Sequence, residues 1–206
     1  MSSTKSSNII SKFAYHVFID GLSGMALGLF STLIVGTILA QIGTLIGGDA
    51  GKTIISIANV AKGLTGAGIG VGVAYKFKES PLVTISAAVA GLVGAFAGTI
   101  LTGAAFAKGA LILKGPGEPL GAFLAAFVGI EVGHLISGRT KLDILLTPIV
   151  TIMVGGVIGL WVGPPISSFM TAVGELINWS TEQQPFIMGI LVSVIMGMCL
   201  TLPISS

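Results

Sequence analysis

The stretch "GLSGMALGLFSTLIVGTILAQIGTLI", residues 21–46, decides the fold, because it continues for 26 residues without a charged side chain. A helix of about 20 apolar residues is long enough to cross the hydrocarbon layer of a bilayer. Of the 206 residues, 53% are apolar and only 9% are charged, and the mean hydropathy is +1.01. This composition predicts an integral membrane protein with no large water-soluble domain. The net charge of +2 gives no indication of nucleic acid binding.

Apolar runs bounded by charges or prolines predict an all-α integral membrane protein, a glycine-rich polytopic helix bundle with about six spans. Between the last two spans, Pro164 and Pro165 are expected to end a helix. The residues that follow alternate between apolar and polar, which predicts an amphipathic or re-entrant segment with Trp179 as an interfacial anchor. The six predicted spans are 21–46, 54–75, 81–107, 120–136, 144–162 and 186–202.

Glycine is the second strong signal, because the chain has 31 glycines and many recur four residues apart within the predicted spans. Small residues at this spacing let neighbouring helices approach closely. The second span is unusual because it has glycines at 66, 68, 70 and 72 and a charged residue, Lys62. Two interpretations remain open: a broken helix that exposes its backbone to a cavity, or a tightly packed helix from which Lys62 extends to the interface.

The distribution of basic residues predicts the orientation of the chain, since Lys and Arg are concentrated in cytoplasmic loops. With a cytoplasmic N-terminus, six basic residues lie on the cytoplasmic side and three on the opposite side. We therefore expect residues 1–17 to form a polar cytoplasmic leader and 1–206 to form a single transmembrane domain. The two groups are Lys5, Lys12, Lys76, Lys78, Arg139 and Lys141 against Lys52, Lys108 and Lys114.

The predicted fourth span, which follows the turn "GPGEP" at 115–119, has an acid and a histidine within its apolar sequence. On a helix, Glu131 and His134 lie opposite the packing face formed by Gly129 and Gly133, and Phe127 shares their side. A charge inside a span is costly and commonly marks a transport pathway or an ion pair. An aromatic ring beside a carboxylate also suits a sugar, whose C–H face stacks on rings while its hydroxyls donate to the acid.

A second polar cluster, Asn59 with Lys62, lies in the second predicted span, and Lys62 is a possible partner for Glu131. In the alternative interpretation, Glu131 and His134 are structural and reach toward water at the nearby basic end of their helix. No catalytic residue, cofactor or metal is expected: Cys199 is a single cysteine, and one Glu-x-x-His pair supplies too few ligands. The predicted substrate-binding residues are Glu131, His134, Asn59, Lys62 and Phe127.

Three long stretches carry a resemblance to a known family. They are "FIDGLSGMALGLFSTLIVGTILAQIG" (18–43), "SGRTKLDILLTPIVTIMVGGVIGLWVGPPIS" (137–167) and "INWSTEQQPFIMGILVSVIMGMCLTLPISS" (177–206). The chain resembles bacterial phosphotransferase-system (PTS) enzyme IIC, the sugar-translocating subunit. Members of the family usually continue with further spans beyond "LTLPISS", so the resemblance implies a chain truncated at its C-terminus, the N-terminal part of a longer domain.

The resemblance implies a homodimeric carrier in the bacterial plasma membrane, surrounded by lipid and specific for a small polar solute such as a sugar. Separate cytoplasmic phosphocarrier subunits would phosphorylate the solute, because no phosphoryl-transfer residue is identified in this chain. In relatives, a glutamate and a histidine contact sugar hydroxyls, and Glu131 and His134 match these residue types. Two alternatives remain open: a non-transporting membrane sensor or scaffold, and a transporter of a non-sugar solute derived from the same fold.

Overall fold

The computed structural model describes residues 12, 15–107, 110–139 and 141–181, together with several positions between 188 and 197. This part of the chain is helical apart from short connections and one two-stranded hairpin. The hairpin pairs β1 (Phe106–Ala107) with β2 (Ala110–Leu111) in antiparallel register. The helices are α1 (His16–Ile46), α2 (Gly48–Gly63), α3 (Thr65–Lys76), α4 (Pro81–Ala95), α5 (Ala97–Leu101), α6 (Pro119–Ile136) and α7 (Asp143–Thr181).

Three described helices, α1, α6 and α7, are long and apolar enough to cross a membrane. The pair α2 and α3 forms a fourth candidate if it is counted as one bent span, and α4 is a shorter apolar helix. The prediction of an all-helical, multi-pass membrane protein is therefore confirmed, whereas the count of six spans stays a prediction. Most of the predicted sixth span, 186–202, and most of the predicted leader, 1–17, lie outside the described residues.

Helix α1 contains the predicted first span and begins five residues before it, at His16. It is not a uniform α-helix, because two segments, His16–Gly21 and Phe30–Ile34, have π-helical hydrogen bonding. The helix ends at Gly47, whose positive φ of 65° suits glycine, and the chain turns directly into α2. The two helices then pack closely, because a Cβ at Gly51 would overlap the Gly43 carbonyl oxygen.

The second predicted span is bent by 54° between α2 and α3. The break lies at Leu64, before the glycine run, and the residues from Gly66 to Gly72 form a continuous, packed part of α3. The span is therefore broken, as the first interpretation predicts, and its glycine run is tightly packed, as the second predicts, whereas the backbone exposure to a cavity and the role of Lys62 stay predictions. The glycines serve packing: a Cβ at Gly70 would overlap the Ala87 carbonyl of α4.

The prediction of one span across 81–107 is wrong, because the helix is interrupted at Phe96 and ends at Leu101. Phe96 has φ −112° and ψ 19°, outside the α-helical region. The physical reason lies in a distant segment: the backbone N–H of Glu118 donates to the carbonyl oxygen of Ala95 at 2.8 Å. The last carbonyl of α4 therefore accepts its hydrogen bond from the residue that precedes α6.

The expected helix end at Pro164 and Pro165 is also wrong, because α7 continues through both prolines to Thr181. The predicted amphipathic or re-entrant segment is thus the second half of a 39-residue helix. A proline removes one intrahelical hydrogen bond and strains the preceding turn. In α7 the packing of the first half against α4 and α6 outweighs this local cost.

The core lies where the first half of α1 meets α3, α4 and α6, with Met25, Ile69, Val73 and Ile130 almost fully buried. Large apolar side chains also cover the outside of the molecule, as expected for surfaces that contact lipid. Leu45, for example, is 86% exposed. The helix bundle therefore has a compact apolar core that includes Phe96 and Phe123, and it also presents large apolar side chains on its outer surface.

Candidate functional site

The predicted acid Glu131 has a partner, His16 at the start of α1. The imidazole donates from Nε2 to Glu131 Oε1 at 3.0 Å, and both side chains are roughly 40% exposed. The His16 ring stacks on Phe77 with a centroid distance of 3.9 Å, and Phe127 lies edge-on to Phe77 at 5.9 Å. Asp20 is a weaker neighbour, 3.8 Å from His16 Nδ1. Glu131 therefore takes part in a contact that joins α1 to α6.

The predicted histidine, His134, forms a second imidazole–carboxylate pair. Its Nδ1 lies 3.0 Å from Glu79 Oε1, and the Glu79 side chain is only 8% exposed. Ser80 and Ser137 are joined by a hydroxyl hydrogen bond of 2.9 Å at the same end of the molecule. These contacts hold the α3–α4 connection against the end of α6.

Asn59 and Lys62 lie on α2, which packs chiefly against α1. Asn59 is exposed, and the stem of Lys62 packs against α1 at Gly36, where an added Cβ would be 2.8 Å from Lys62 Cγ. Glu131 pairs with His16, and no ion pair of Lys62 occurs within the described part of the chain. The predicted set therefore divides between Glu131, His134 and Phe127 at one end of α6 and two residues on another helix.

A different acid, Glu118, lines a cavity of about 310 Å³ at the interruption between α4 and α5. Glu118 immediately precedes α6, and its carboxylate has no side-chain partner among the described residues. Much of the wall consists of backbone and small side chains, with Ser167 and Lys114 as further polar groups. The cavity is lined by Gly94, Ala95, Phe96, Ala97, Gly98, Thr99, Lys114, Gly117, Glu118, Gly163 and Ser167.

Glycines bring three chain segments together around this cavity. A Cβ at Gly117, which has a φ of +73°, would lie 2.7 Å from the Ala95 carbonyl oxygen. A Cβ at Gly121 would lie 2.7 Å from the Gly94 carbonyl oxygen, and one at Gly163 would lie 2.5 Å from the Ala97 Cβ. Without side chains at these positions, the ends of α4 and α6 and the middle of α7 approach to backbone contact.

The environment of Glu118 is unfavourable for a charge. Burial raises the pKa of the Glu118 carboxyl above its ordinary value of 4.5, and the backbone N–H of Leu120 opposes this with a smaller effect. A partly desolvated carboxylate with few hydrogen bonds gains strongly from donors that a ligand brings. Glu118 is thus a candidate for binding a polar ligand.

The raised pKa of Glu118 has a consequence for stability. The folded protein holds the proton of the Glu118 carboxyl more tightly than the unfolded chain does. Its contribution to the free energy of unfolding is therefore fully present below pH 4.5 and is lost as pH rises through the raised pKa. We expect the detergent-solubilised protein to become less stable relative to the Glu118→Gln variant as pH rises above 4.5. Thermal unfolding of both proteins across pH 4 to 8 measures this difference, and parallel curves would contradict it.

A second cavity of about 400 Å³ adjoins the first, and both are lined by Gly98 and Ser167. Its wall continues along α7 through hydroxyl groups to Glu175. The polar surface therefore extends from Glu118 along the exposed second half of α7. This arrangement depends on α7 continuing beyond its prolines, which is why the sequence did not indicate it.

Sequence reasoning missed His16, Glu79 and Glu118. His16 and Glu79 lie outside the predicted spans, and nothing in their neighbourhood indicates partners on α6. The sequence predicts Glu118 only as part of a turn, although an acid between Gly117 and Pro119 at the start of an apolar helix is a usable signal. Among the described residues, no group of three or more His, Cys, Asp or Glu side chains could hold a metal ion.

Comparison with known proteins gives one match. The family model described as "Phosphotransferase system, EIIC" matches residues 19–206, which includes every helix described above except the first turn of α1. Neither the curated proteins nor the solved structures gave a match to the chain.

Proposed function

Because the chain belongs to the phosphotransferase system EIIC family and is a PTS-type membrane transport subunit, we propose that it carries a sugar and that Glu118 binds the sugar hydroxyls. The observation that carries this proposal is a partly desolvated carboxylate beside a cavity of about 310 Å³. That volume is at the lower end of the range for small-molecule sites, which suits a solute the size of a monosaccharide.

The chemistry of the cavity supports a polyhydroxyl ligand. Hydrogen bonds to a charged acceptor are worth about 1.5–3 kcal/mol each, and Glu118 lacks side-chain donors among the described residues. A sugar supplies several hydroxyl donors within a small volume. Thr99 and Ser167 at the wall can accept or donate further hydrogen bonds. On binding, the sugar hydroxyls would supply hydrogen bonds in place of those that the half-buried carboxylate has lost from water.

The backbone around the cavity also supports transport. Helix ends and interrupted helices near a transporter's centre supply free backbone groups to a solute. Here the end of α4, the start of α5 and the start of α6 meet at Phe96 and Glu118. The same interruption gives the chain a place to change its backbone dihedrals as the cavity opens toward each side in turn.

The residues predicted from sequence have a secondary place in this proposal. Glu131 and Glu79 already accept hydrogen bonds from His16 and His134, so a sugar would have to replace those donors. We retain Glu131, His134 and Phe127 as a predicted second polar site at the basic end of the bundle. Asn59 and Lys62 on α2 remain predicted solute contacts outside the Glu118 cavity.

In the proposed cycle, this subunit positions the sugar and moves it across the membrane. Separate cytoplasmic phosphocarrier subunits then phosphorylate it, with the N-terminus and the basic end of the bundle on the cytoplasmic side. We propose that the functional unit is a homodimer.

The proposal is tested with proteoliposomes that contain the purified chain and enclose a soluble phosphocarrier fraction with phosphoenolpyruvate. A panel of labelled sugars is added outside, and the expected result is accumulation of one or a few sugars as phosphates. Binding of the same panel to the solubilised protein provides a readout independent of the phosphocarriers. If no sugar binds or accumulates, the proposal is wrong, and a sensor, a scaffold or a carrier of another solute becomes the better explanation.

The proposal makes a specific prediction for Glu131. The Glu131→Gln variant should keep sugar binding within about twofold of wild type, because the amide can still accept a hydrogen bond from His16 and lies outside the cavity. The lost charge–imidazole interaction between half-exposed groups is worth less than about 1 kcal/mol. Equilibrium binding of the transported sugar measures the effect. A loss of more than tenfold, with a normal elution profile, would place Glu131 in the binding site.

A further inference from the structure

A large open groove, separate from the Glu118 cavity, runs between α1 and α3. Its volume is about 930 Å³. The middle of the groove is apolar, with Leu27 on one wall and Val71 on the other, and one end has Tyr75, Lys76 and Lys78. The groove thus combines an apolar trough with a cationic end, which is the pattern of an amphiphilic ligand.

The trough exists because the two helices touch through glycines. A Cβ at Gly28 would overlap the Gly68 carbonyl oxygen, and one at Gly72 would overlap the Gly24 carbonyl oxygen. Above this backbone contact no side chain fills the space between Leu27 and Val71, which are 45% and 41% exposed. The resulting channel, with apolar side chains on both walls and a volume of about 930 Å³, can accommodate an acyl chain.

The cationic end has unsatisfied positive charge. Among the described residues, no carboxylate forms an ion pair with Lys76 or Lys78. Glu79 also lines the groove, but its side chain is largely buried and held by His134. Lys78 has a positive φ of 57°, a conformation at a helix end that glycine adopts more readily. A lysine at this position therefore places a charge beside the groove at a conformational cost.

We propose that this groove binds an anionic phospholipid, with an acyl chain in the trough and the phosphate between Lys76 and Lys78. Pockets of this kind between membrane helices recognise anionic head groups. The Tyr75 ring, 72% exposed beside the lysines, suits the depth of the head groups.

The test uses the full chain in nanodiscs of phosphatidylcholine alone or with 30% phosphatidylglycerol, followed by native mass spectrometry of the lipids that stay bound. Wild type is expected to retain phosphatidylglycerol in preference to phosphatidylcholine. The double variant Lys76→Gln/Lys78→Gln should bind phosphatidylglycerol about 25-fold more weakly, because each lysine contributes a factor of about five to the affinity. The matched control is Lys141→Gln, which removes an exposed charge outside the groove.

Two further variants separate the head group from the acyl chain. Lys78→Gly should weaken phosphatidylglycerol binding about fivefold and leave the protein equally or more stable, because glycine suits the positive φ. Val71→Phe should fill the trough and reduce the binding of both lipids, whereas Val157→Phe, at an exposed position outside the groove, should not.

Three results would overturn the proposal. Unchanged phosphatidylglycerol preference in the double variant would show that the lysines bind no head group. An equal loss in the Lys141→Gln control would show diffuse attraction to the membrane surface without a site. A shift in oligomeric state on changing Val71, with lipid binding unaffected, would assign the groove to a second copy of the chain.

Discussion

Replacing Glu118 with Gln is expected to lower sugar binding and uptake by about 100-fold or more. Two hydroxyl hydrogen bonds to a carboxylate are worth about 3–6 kcal/mol together, and each 1.4 kcal/mol is a factor of ten. The amide has nearly the same shape but no charge and only one acceptor oxygen. Equilibrium binding of the transported sugar and its accumulation in proteoliposomes measure the loss.

The fold should tolerate this change. Because burial disfavours the charged form of Glu118 and raises its pKa, a neutral side chain of the same shape removes an unfavourable interaction. The variant should therefore elute like wild type and become more stable relative to it as pH rises above 4.5. Glu175→Gln, an exposed acid at the outer cavity, is the matched control and should change binding less than threefold. Normal binding by Glu118→Gln would remove this residue from the site.

Replacing Gly70 with Ala is expected to destabilise the bundle by about 3 kcal/mol, the upper range for overpacking a core. A Cβ at this position would overlap the carbonyl oxygen of Ala87 and lie 2.6 Å from its carbonyl carbon. Because the neighbour is backbone and not a flexible side chain, α3 and α4 must move apart. Unfolding in detergent, by temperature or by added dodecyl sulfate, measures the change.

The same substitution at Gly174 is the control, because it also adds one methyl group to a helix interior. No atom lies within 4 Å of a Cβ built at Gly174, and its helix, α7, is exposed there. Alanine is favoured over glycine in helices by about 1 kcal/mol, so this variant should be unchanged or slightly stabilised. Equal effects at the two positions would show that the close approach of α3 and α4 does not limit stability.

The candidate site was only partly predictable from sequence. Glu131 and His134 stand out because they are polar within an apolar run, and the structure indeed gives each a specific partner. The partners come from the start of α1 and from the α3–α4 connection, 115 and 55 residues away in sequence. Glu118 did not stand out, because an acid in a glycine- and proline-containing turn is common on any protein surface.

The sequence by itself determined that the chain lies in a membrane, that it is helical and which family it belongs to. Run length and composition report directly on burial in lipid, so the apolar stretch at residues 21–46 was found as a helix. The glycine spacing also indicated close packing, which the backbone contacts at Gly28 and Gly70 show. These features are local, and a local pattern is sufficient to predict them.

Only the tertiary structure decided where the helices break and that Glu118 lines the cavity between α4 and α5. Helix α4 ends at Ala95 because the N–H of Glu118 takes its carbonyl, and α7 passes through Pro164 and Pro165 while packed on α4 and α6. In both cases a contact with a distant segment outweighs the local preference of the chain. The burial of Glu118 has the same origin, since its environment is built by glycines from three separate helices.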